Sequence, residues 1–267
     1  MVARLSWSTG VGRPAFGSII PTTTINDTAQ TVTETNPNLK PQYANNWDFS
    51  AEYYFKPQGM ISVGAFSKKI KDYIATDRSQ FIESGANNGY DGQYVGYNIV
   101  TSSNSGDATI EGLEASYQQQ LTFLPGWAKG FGAYANVTKL RTHGTNSAFQ
   151  AGPTSSAGGT LAGFLDVTGN VGLSYRGFGF DLRLQSNYRG EYLTSNSTTP
   201  ALVQWQKPKW TTAWKSRYNY TQSLGVFFDL ENIFETPLDN IYAAYPDRIV
   251  SYRTFSLRIK AGITGRF

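Results

Sequence analysis

Apolar and polar residues alternate along most of this chain, and this period of two restricts the possible folds more than any other feature. The last segment shows it most clearly, with apolar residues on one parity and polar or cationic residues on the other. The apolar members are Phe255, Leu257, Ile259, Ala261 and Ile263; the polar members are Thr254, Ser256, Arg258, Lys260 and Thr264. Successive side chains of a strand point to opposite faces of its sheet. The alternation therefore predicts an extended strand with one apolar face.

The same pattern recurs upstream, so that the chain contains about ten such segments, counting the opening one. Clear examples are Trp47-Phe49-Ala51-Tyr53-Phe55, Leu113-Ala115-Tyr117, Phe131-Ala133-Ala135-Val137, Val171-Leu173-Tyr175, Phe180-Leu182-Leu184, Trp210-Trp214-Tyr218 and Leu224-Val226-Phe228-Leu230. Each segment approaches the ~9–11 residues that a tilted strand needs to cross a bilayer. Between Met60 and Ile74 the apolar parity changes at Phe66, which predicts a β-bulge or a shifted register.

Short and long connections alternate between these segments. The short ones are Lys56–Gly59, Leu124–Trp127, Arg176–Gly179 and Thr221–Ser223; the long ones, rich in Asn, Ser, Thr and Gly, are Gly12–Tyr43, Thr76–Ala108, Thr142–Asp166, Thr194–Pro208 and Thr236–Val250. We expect the long stretches to be loops. Short turns on one rim and long loops on the other are typical of bacterial outer-membrane barrels.

Aromatic residues gather at strand ends, mostly beside the short turns. They are Tyr53, Phe55, Trp127, Phe131, Tyr175, Phe178, Phe180, Tyr218 and Tyr220. Such rings form a girdle at a membrane interface, with the ring among the headgroups and the polar tip toward water. The pattern favours an all-β antiparallel transmembrane barrel. A soluble two-sheet sandwich is the alternative, since it would show alternating strands as well.

Composition agrees with a membrane barrel and excludes several other classes. Charged residues make up 16% of the 267 residues and aromatic residues 15%, an unusual balance for a soluble enzyme. No run of ~18 apolar residues could form a transmembrane helix. Cysteine is absent, which excludes disulfides and thiolate metal ligands. The net charge is +4, and the basic residues form no run that would suggest a nucleic-acid-binding arm.

No catalytic or metal-binding motif stands out, so we expect no enzyme activity, no cofactor and no metal site. His143, in a loop-like stretch, is the only histidine, and a zinc site or a Ser-His-Asp triad would depend on it alone. No P-loop, dinucleotide fingerprint or Gly-x-Ser-x-Gly element is present. Glu111 and Glu114 are three residues apart on a predicted strand, so they point to opposite faces and cannot form a catalytic pair.

An ordered set of short elements resembles the distal half of the barrel of TonB-dependent receptors. The elements are Arg4-Leu5-Ser6-Trp7-Ser8-Thr9 with Gly12-Arg13-Pro14, Asn36-Pro37-Asn38-Leu39-Lys40-Pro41 with the strand that follows, Ala108-Thr109-Ile110-Glu111-Gly112-Leu113-Glu114, Glu231-Asn232-Ile233-Phe234 and Gly265-Arg266-Phe267. No single element is specific, but they follow the order of the family over nearly the whole chain.

The resemblance implies that residues 1–267 form the C-terminal portion of a barrel domain of about 22 strands, without the plug domain. It implies a location in the outer membrane of a Gram-negative bacterium, among outer-membrane lipid and lipopolysaccharide. The barrel-assembly machinery would recognise the chain end at Phe267. The TonB complex would act only through the missing plug, as in the family.

The function that the resemblance implies is active transport of a siderophore, cobalamin or an oligosaccharide, with this chain supplying barrel wall and extracellular loops. Candidate substrate contacts are the aromatic residues in or beside the long loops: Tyr90, Tyr94, Tyr97, Trp205, Tyr242 and Tyr245. Flat amphipathic rings suit sugars and metal chelates, but the same rings could equally pack the loops against one another. The alternative function is a self-contained small porin or adhesin barrel.

Overall fold

The computed structural model describes residues 1–104, 106–144, 160–195, 203–242 and 245–265. Strands make up 65% of the described residues and helices 4%. The helical elements are α1 (Phe16–Ile19) and a 3-10 helix (Gly126–Gly130). None of the described helices is long and apolar enough to cross a membrane.

The strands lie along the chain in a simple order. They are β1 (Val2–Gly12), β2 (Thr23–Asn26), β3 (Thr31–Glu34), β4 (Gln42–Phe55), β5 (Gly59–Lys71), β6 (Ile74–Phe81), β7 (Asn98–Asn104), β8 (Ala108–Gln120), β9 (Phe131–Gly144), β10 (Val167–Gly177), β11 (Phe180–Arg189), β12 (Tyr192–Ser195), β13 (Gln204–Gln206), β14 (Lys209–Asn219), β15 (Leu224–Glu231), β16 (Leu238–Tyr242), β17 (Tyr245–Arg253) and β18 (Arg258–Gly265). Ten form one sheet in the order β1-β4-β5-β8-β9-β10-β11-β14-β15-β18. Every neighbouring pair in this sheet is antiparallel, which confirms the predicted meander of about ten strands.

The register places the apolar rows of all ten strands on one face, which we call the apolar face. Leu5 pairs with Phe49, Phe49 with Ala65, and Ala65 with Leu113, and ladder partners lie on the same side of a sheet. This face is uncovered, because Leu5 is 69% exposed and Ile263 is 73% exposed. A soluble sandwich would bury these side chains against a second sheet. Their exposure excludes the sandwich and leaves lipid as the medium that covers them.

The other face, the polar face, carries the alternate residues and has unusual packing at several glycines. Phe66 in β5 pairs with Gly112 in β8 across the ladder. A Cβ atom at Gly112 would lie 2.6 Å from the Phe66 ring, so the ring occupies the space that the glycine leaves. The pairing of β5 with β8 runs without a shift from Gly59 to Ile70. The predicted bulge near Phe66 is therefore wrong: Phe66 is an apolar residue on the polar face, accommodated by its glycine partner.

Four of the long stretches predicted as loops contain strands, which corrects the sequence interpretation. After a break at Asp72, the hairpin of β5 and β8 continues as β6 and β7, which join β2 and β3 in a four-stranded sheet. Strands β12, β13, β16 and β17 form a second four-stranded sheet. Backbone pairing overrides the weak strand propensity of Asn, Ser and Gly here. His143 also lies in a strand, β9, opposite Thr109, and not in a loop.

The aromatic residues predicted to form a girdle lie at the strand ends beside the short turns, and several of their rings are in contact. The rings of Phe180 and Tyr218 lie 4.7 Å apart, and those of Phe131 and Tyr175 lie 5.0 Å apart. Trp127 is 63% exposed and Phe178 is 77% exposed. The turns that separate these strands lie at the predicted positions. One rim of the ten-stranded sheet therefore carries short turns and aromatic rings. The opposite rim carries the two four-stranded sheets, which we call the first loop sheet (β2, β3, β6 and β7) and the second loop sheet (β12, β13, β16 and β17).

Candidate functional site: the polar face and the loop sheets

Cations dominate one half of the polar face. They are Arg183, Arg189, Lys209, Lys215, Arg217, Arg258 and Lys260, in β11, β14 and β18, against the carboxylates Asp181, Asp229 and Glu231. The register brings them to the same side, since Arg183 pairs with Lys215 and Lys215 with Asp229. A recess of about 360 Å³ opens here. Closely spaced like charges repel one another unless an anion lies among them, so this half of the face is suited to negative partners.

The other half of the polar face is largely uncharged. A recess of about 650 Å³ is lined mainly by amides, hydroxyls and a phenol, among them Gln118, Gln120, Tyr134 and Asn136. Arg4 donates to Glu52 over 2.8 Å, so the charges of β1 and β4 partly neutralise each other. Hydrogen-bonding groups without a strong net charge hold water and polar solutes without preference for sign.

Three of the predicted substrate contacts form one cluster in the connection between β6 and β7. The ring centroids of Tyr90 and Tyr94 are 6.0 Å apart, and those of Tyr94 and Tyr97 are 5.4 Å apart. Positive φ angles at Asp91 and Tyr94 turn the chain so that the three rings meet. All three tyrosines are half-buried, so each ring packs inside the loop and also keeps an accessible portion.

Two carboxylates of the first long stretch, Asp27 after β2 and Glu34 at the end of β3, accept hydrogen bonds from two of these hydroxyls. Tyr90 donates to Glu34, and Tyr97 donates to Asp27 over 3.2 Å. Partial burial together with the hydrogen bond to Glu34 raises the pKa of Tyr90 to about 12. Desolvation and the hydrogen bond to Asp27 likewise raise the pKa of Tyr97. The tyrosine cluster therefore joins two loops, which is the packing role that sequence reasoning left open beside ligand contact.

The other three predicted contacts lie on the second loop sheet. Trp205 pairs with Leu193 and Ile241 and packs against the buried pair Leu193 and Val203. Tyr242 and Tyr245 are ladder partners. Tyr245 is 50% exposed, and the Arg248 guanidinium lies 5.1 Å from its ring centroid. The structure thus divides the six aromatic residues into two groups, one in the connection between β6 and β7 and one on the second loop sheet.

A segment of the third long stretch contacts both the polar face and the second loop sheet. Leu161 is buried against Ile70 and Ala108, which belong to the polar face. The Gly163 amide donates to the Leu193 carbonyl over 2.8 Å. Residues 160–166 therefore lie over the polar face near the loop rim. Sequence reasoning missed both this contact and the cationic half of the face, although the alternating Arg and Lys of β11, β14 and β18 could have indicated the latter.

The described ranges hold no cluster of metal-ligating side chains. Within them, no three His, Cys, Asp or Glu residues come together in a way that could hold a metal ion. Glu111 and Glu114 point to opposite faces, because Glu111 pairs with Arg141 and Glu114 with Thr138. Phe267, the predicted assembly signal, lies outside the described residues.

A ten-stranded antiparallel wall with an exposed apolar face, a charged polar face and loop sheets on one rim defines the transmembrane wall of an outer-membrane transport protein. The family model described as TonB dependent receptor-like, beta-barrel matches residues 1–233. This chain belongs to that family. TonB-dependent receptors are transporters, not enzymes, and lie in the outer membrane of Gram-negative bacteria.

Solved structures with a similar fold include a ferric enterobactin receptor, a siderophore receptor and an iron transporter. A mutant of the ferric enterobactin receptor PfeA from Pseudomonas aeruginosa matches with a TM-score of 0.69 and 16% identity, covering 99% of this chain and 38% of that chain. The siderophore receptor PirA from Pseudomonas aeruginosa matches with a TM-score of 0.60 and 14% identity, covering 99% and 39%. The FrpB iron transporter from Neisseria meningitidis matches with a TM-score of 0.56 and 14% identity, covering 86% and 32%. This chain thus spans less than two fifths of each of these structures. A comparison with curated protein sequences finds no match.

Proposed function

We propose that this chain supplies barrel wall and extracellular mouth to an active transporter that carries a siderophore-type metal chelate across the outer membrane. The observation that carries the proposal is the excess of cations over carboxylates on the polar face of β11, β14, β15 and β18. Ferric complexes of acidic chelators are anions, and a cationic wall raises their local concentration. Cobalamin and neutral oligosaccharides would gain nothing from such a wall.

The solved structures with a similar fold include receptors and transporters for metals and metal chelates. A PfeA mutant has been solved in complex with enterobactin, PirA is a siderophore receptor, and OprC is a copper transporter. At these low identities the similarity speaks for the fold alone. The choice of an anionic chelate for this chain therefore rests on its own charges.

The remainder of the proposal concerns the complete protein. The chain covers 38% of PfeA, and β1 and β18 are the edge strands of its main sheet. Unpaired edges favour further pairing, which supports the reading of residues 1–267 as the C-terminal portion of a larger barrel. In such a receptor, a plug would contact the TonB complex, and the barrel-assembly machinery would read the end at Phe267. A self-contained small porin or adhesin would instead need β1 to pair with β18.

Binding measurements on the chain in detergent micelles test the substrate class. We expect a ferric tricatecholate to quench tryptophan emission, with an affinity that falls as salt rises. Cobalamin and a linear maltooligosaccharide should bind much more weakly. The double variant Lys215→Gln/Arg217→Gln should weaken chelate binding about tenfold.

Matched variants separate charge from general damage. Lys56→Gln/Lys129→Gln removes the same charge from exposed positions on the short-turn rim and should leave chelate binding unchanged. Tyr94→Ala should weaken binding if the tyrosine cluster contacts the solute, whereas Tyr94→Phe should not. Binding of the maltooligosaccharide without binding of the ferric chelate would refute the proposed substrate class.

A further inference from the structure

On the apolar face of the ten-stranded sheet, charged side chains occur in one block only. The block consists of Lys69 and Lys71 in β5, Glu111 in β8, and Lys139 and Arg141 in β9. The register assigns these residues to the apolar face, since Lys139 pairs with Leu113 and Arg141 with Glu111. In the described parts of the seven other strands, no Asp, Glu, Lys or Arg lies on this face.

The cationic block begins where the apolar rows of the same strands end. Val63, Leu113 and Val137 are exposed to 47%, 65% and 46%, and the charged residues follow them toward the loop rim. The distance from Phe131 in the girdle to Lys139 spans about 26 Å along the strand, or about 20 Å of membrane height at the usual tilt. An apolar band of about 25 Å is typical of outer-membrane barrels. The block therefore lies at the interface of the leaflet that faces the loops.

The cations of the block have no protein partner in the described part of the chain. The ion pairs found there are Arg4–Glu52, Arg176–Asp181, Arg258–Glu231 and Lys260–Glu231, all on the polar face. Glu111 is the ladder partner of Arg141 but forms no ion pair with it. Lys69, Lys71, Lys139 and Arg141 are all exposed. The block thus presents unneutralised positive charge toward lipid headgroups.

We propose that Lys69, Lys71, Lys139 and Arg141 form a binding site for the phosphate groups of a phosphorylated glycolipid in the outer leaflet. Strands β5 and β9 are separated by β8, and the register sets Arg141 level with Ser67, two residues before Lys69. Lys69 and Arg141 therefore lie about 12 Å apart in the sheet, and the centres of the two pairs of cations lie about 16 Å apart. The long side chains of both pairs can reach toward the two phosphates of one headgroup. The guanidinium of Arg141 can bind a phosphate with two parallel hydrogen bonds. Acyl chains attached to the headgroup would continue over Val63, Leu113 and Val137.

This site lies on the opposite face of the wall from the cations proposed to attract the solute. Removing the cations of one face therefore leaves those of the other face intact. The lipid-binding proposal and the solute-transport proposal can thus fail independently. The proposal needs only the outer-membrane location, which family membership shows.

Lipid titration of the full chain tests the site. The chain is held in detergent micelles at low salt, its folding is verified by circular dichroism, and native mass spectrometry measures the fraction that retains lipid. The probes are a bis-phosphorylated lipid A, the same glycolipid without phosphate, and inorganic pyrophosphate. We expect the parent chain to retain the phosphorylated glycolipid. Each interfacial cation contributes about fivefold, so Lys139→Gln/Arg141→Gln should weaken retention about thirtyfold.

Two further variants make the result specific. Lys139→Arg/Arg141→Lys keeps the charge and should bind like the parent. Lys56→Gln/Lys129→Gln removes equal charge from the short-turn rim and should change retention by less than about twofold. The proposal is overturned if Lys139→Gln/Arg141→Gln binds like the parent, if both Gln pairs lose equally, or if the phosphate-free glycolipid binds as well. Saturation by pyrophosphate at the same concentration as the lipid would also overturn it, in favour of a free anion.

Discussion

Replacing Gly112 with alanine should destabilise the wall because Phe66 occupies the space above this glycine. An added Cβ would lie 2.6 Å from the Phe66 ring and 2.9 Å from the Lys139 carbonyl oxygen. The ring can rotate, but the carbonyl belongs to the backbone of β9 and cannot yield. Overpacking of this kind costs about 1–3 kcal/mol. The smaller conformational freedom of alanine in the unfolded chain offsets about 0.4–1 kcal/mol of that cost.

Gly64 provides a matched control on the same face of the neighbouring strand. A Cβ there would meet its nearest atom, the Phe49 carbonyl oxygen, at 3.5 Å, which is an ordinary contact. Gly64→Ala should therefore leave stability unchanged or raise it slightly. The two variants should differ by about 2 kcal/mol, or about thirtyfold in the unfolding equilibrium constant.

Urea unfolding of the chain in lipid vesicles, followed by tryptophan emission, measures the difference. Adding Phe66→Leu to Gly112→Ala should recover part of the lost stability, since it removes the ring but leaves the carbonyl contact. If Gly112→Ala proves as stable as Gly64→Ala, Phe66 does not lie over Gly112, and the register of β5 with β8 is incorrect.

Three further outcomes test the loop sheets and the membrane orientation. The pKa of Tyr90 is raised from 10.0 to about 12, so the contribution of Tyr90 to stability is complete below pH ~10 and is lost as the pH rises toward ~12. Screening by solvent reduces this contribution to the order of 1 kcal/mol. Tyr90→Phe should therefore flatten the pH dependence of urea unfolding between these two pH values. Leu161→Ala should cost about 2–4 kcal/mol locally, seen as faster hydrogen exchange at the Leu161 amide, and unchanged exchange would contradict its burial. Brominated acyl chains should quench Trp214 on the apolar face but not Trp205 on the second loop sheet, as measured with single-tryptophan variants; equal quenching would refute the orientation.

Features that depend on neighbouring residues were predictable from the sequence. The two faces of β18 follow from the alternation of Ile259, Ala261 and Ile263 with Arg258 and Lys260. The turn at Lys56–Gly59 follows from its proline and glycine. The girdle follows from the aromatic residues beside such turns. Each of these patterns is local, because side-chain direction in a strand and turn geometry are set within a few residues.

The candidate site was only partly predictable, because contacts between distant segments decide it. The sequence showed that Tyr90, Tyr94 and Tyr97 lie in one loop-like stretch, but not that Glu34 and Asp27 hold two of them. It placed Trp205 among possible ligand contacts, but it did not show that Trp205 packs against Leu193 and Val203. Weak strand propensity is also found in β6, β7, β16 and β17. These segments form strands because neighbouring strands of the loop sheets are available for backbone pairing.

From the sequence alone, the alternation determined that this chain is a membrane-spanning sheet with one apolar and one polar face, and the ordered motifs indicated its family. Only the tertiary structure decided how Phe66 fits over Gly112, where Leu161 packs, and that the cations of β5 and β9 form a single block on the apolar face. The physical reason is that the direction of a side chain is a local property of the backbone, whereas its neighbours are set by the register between strands that lie far apart in the chain.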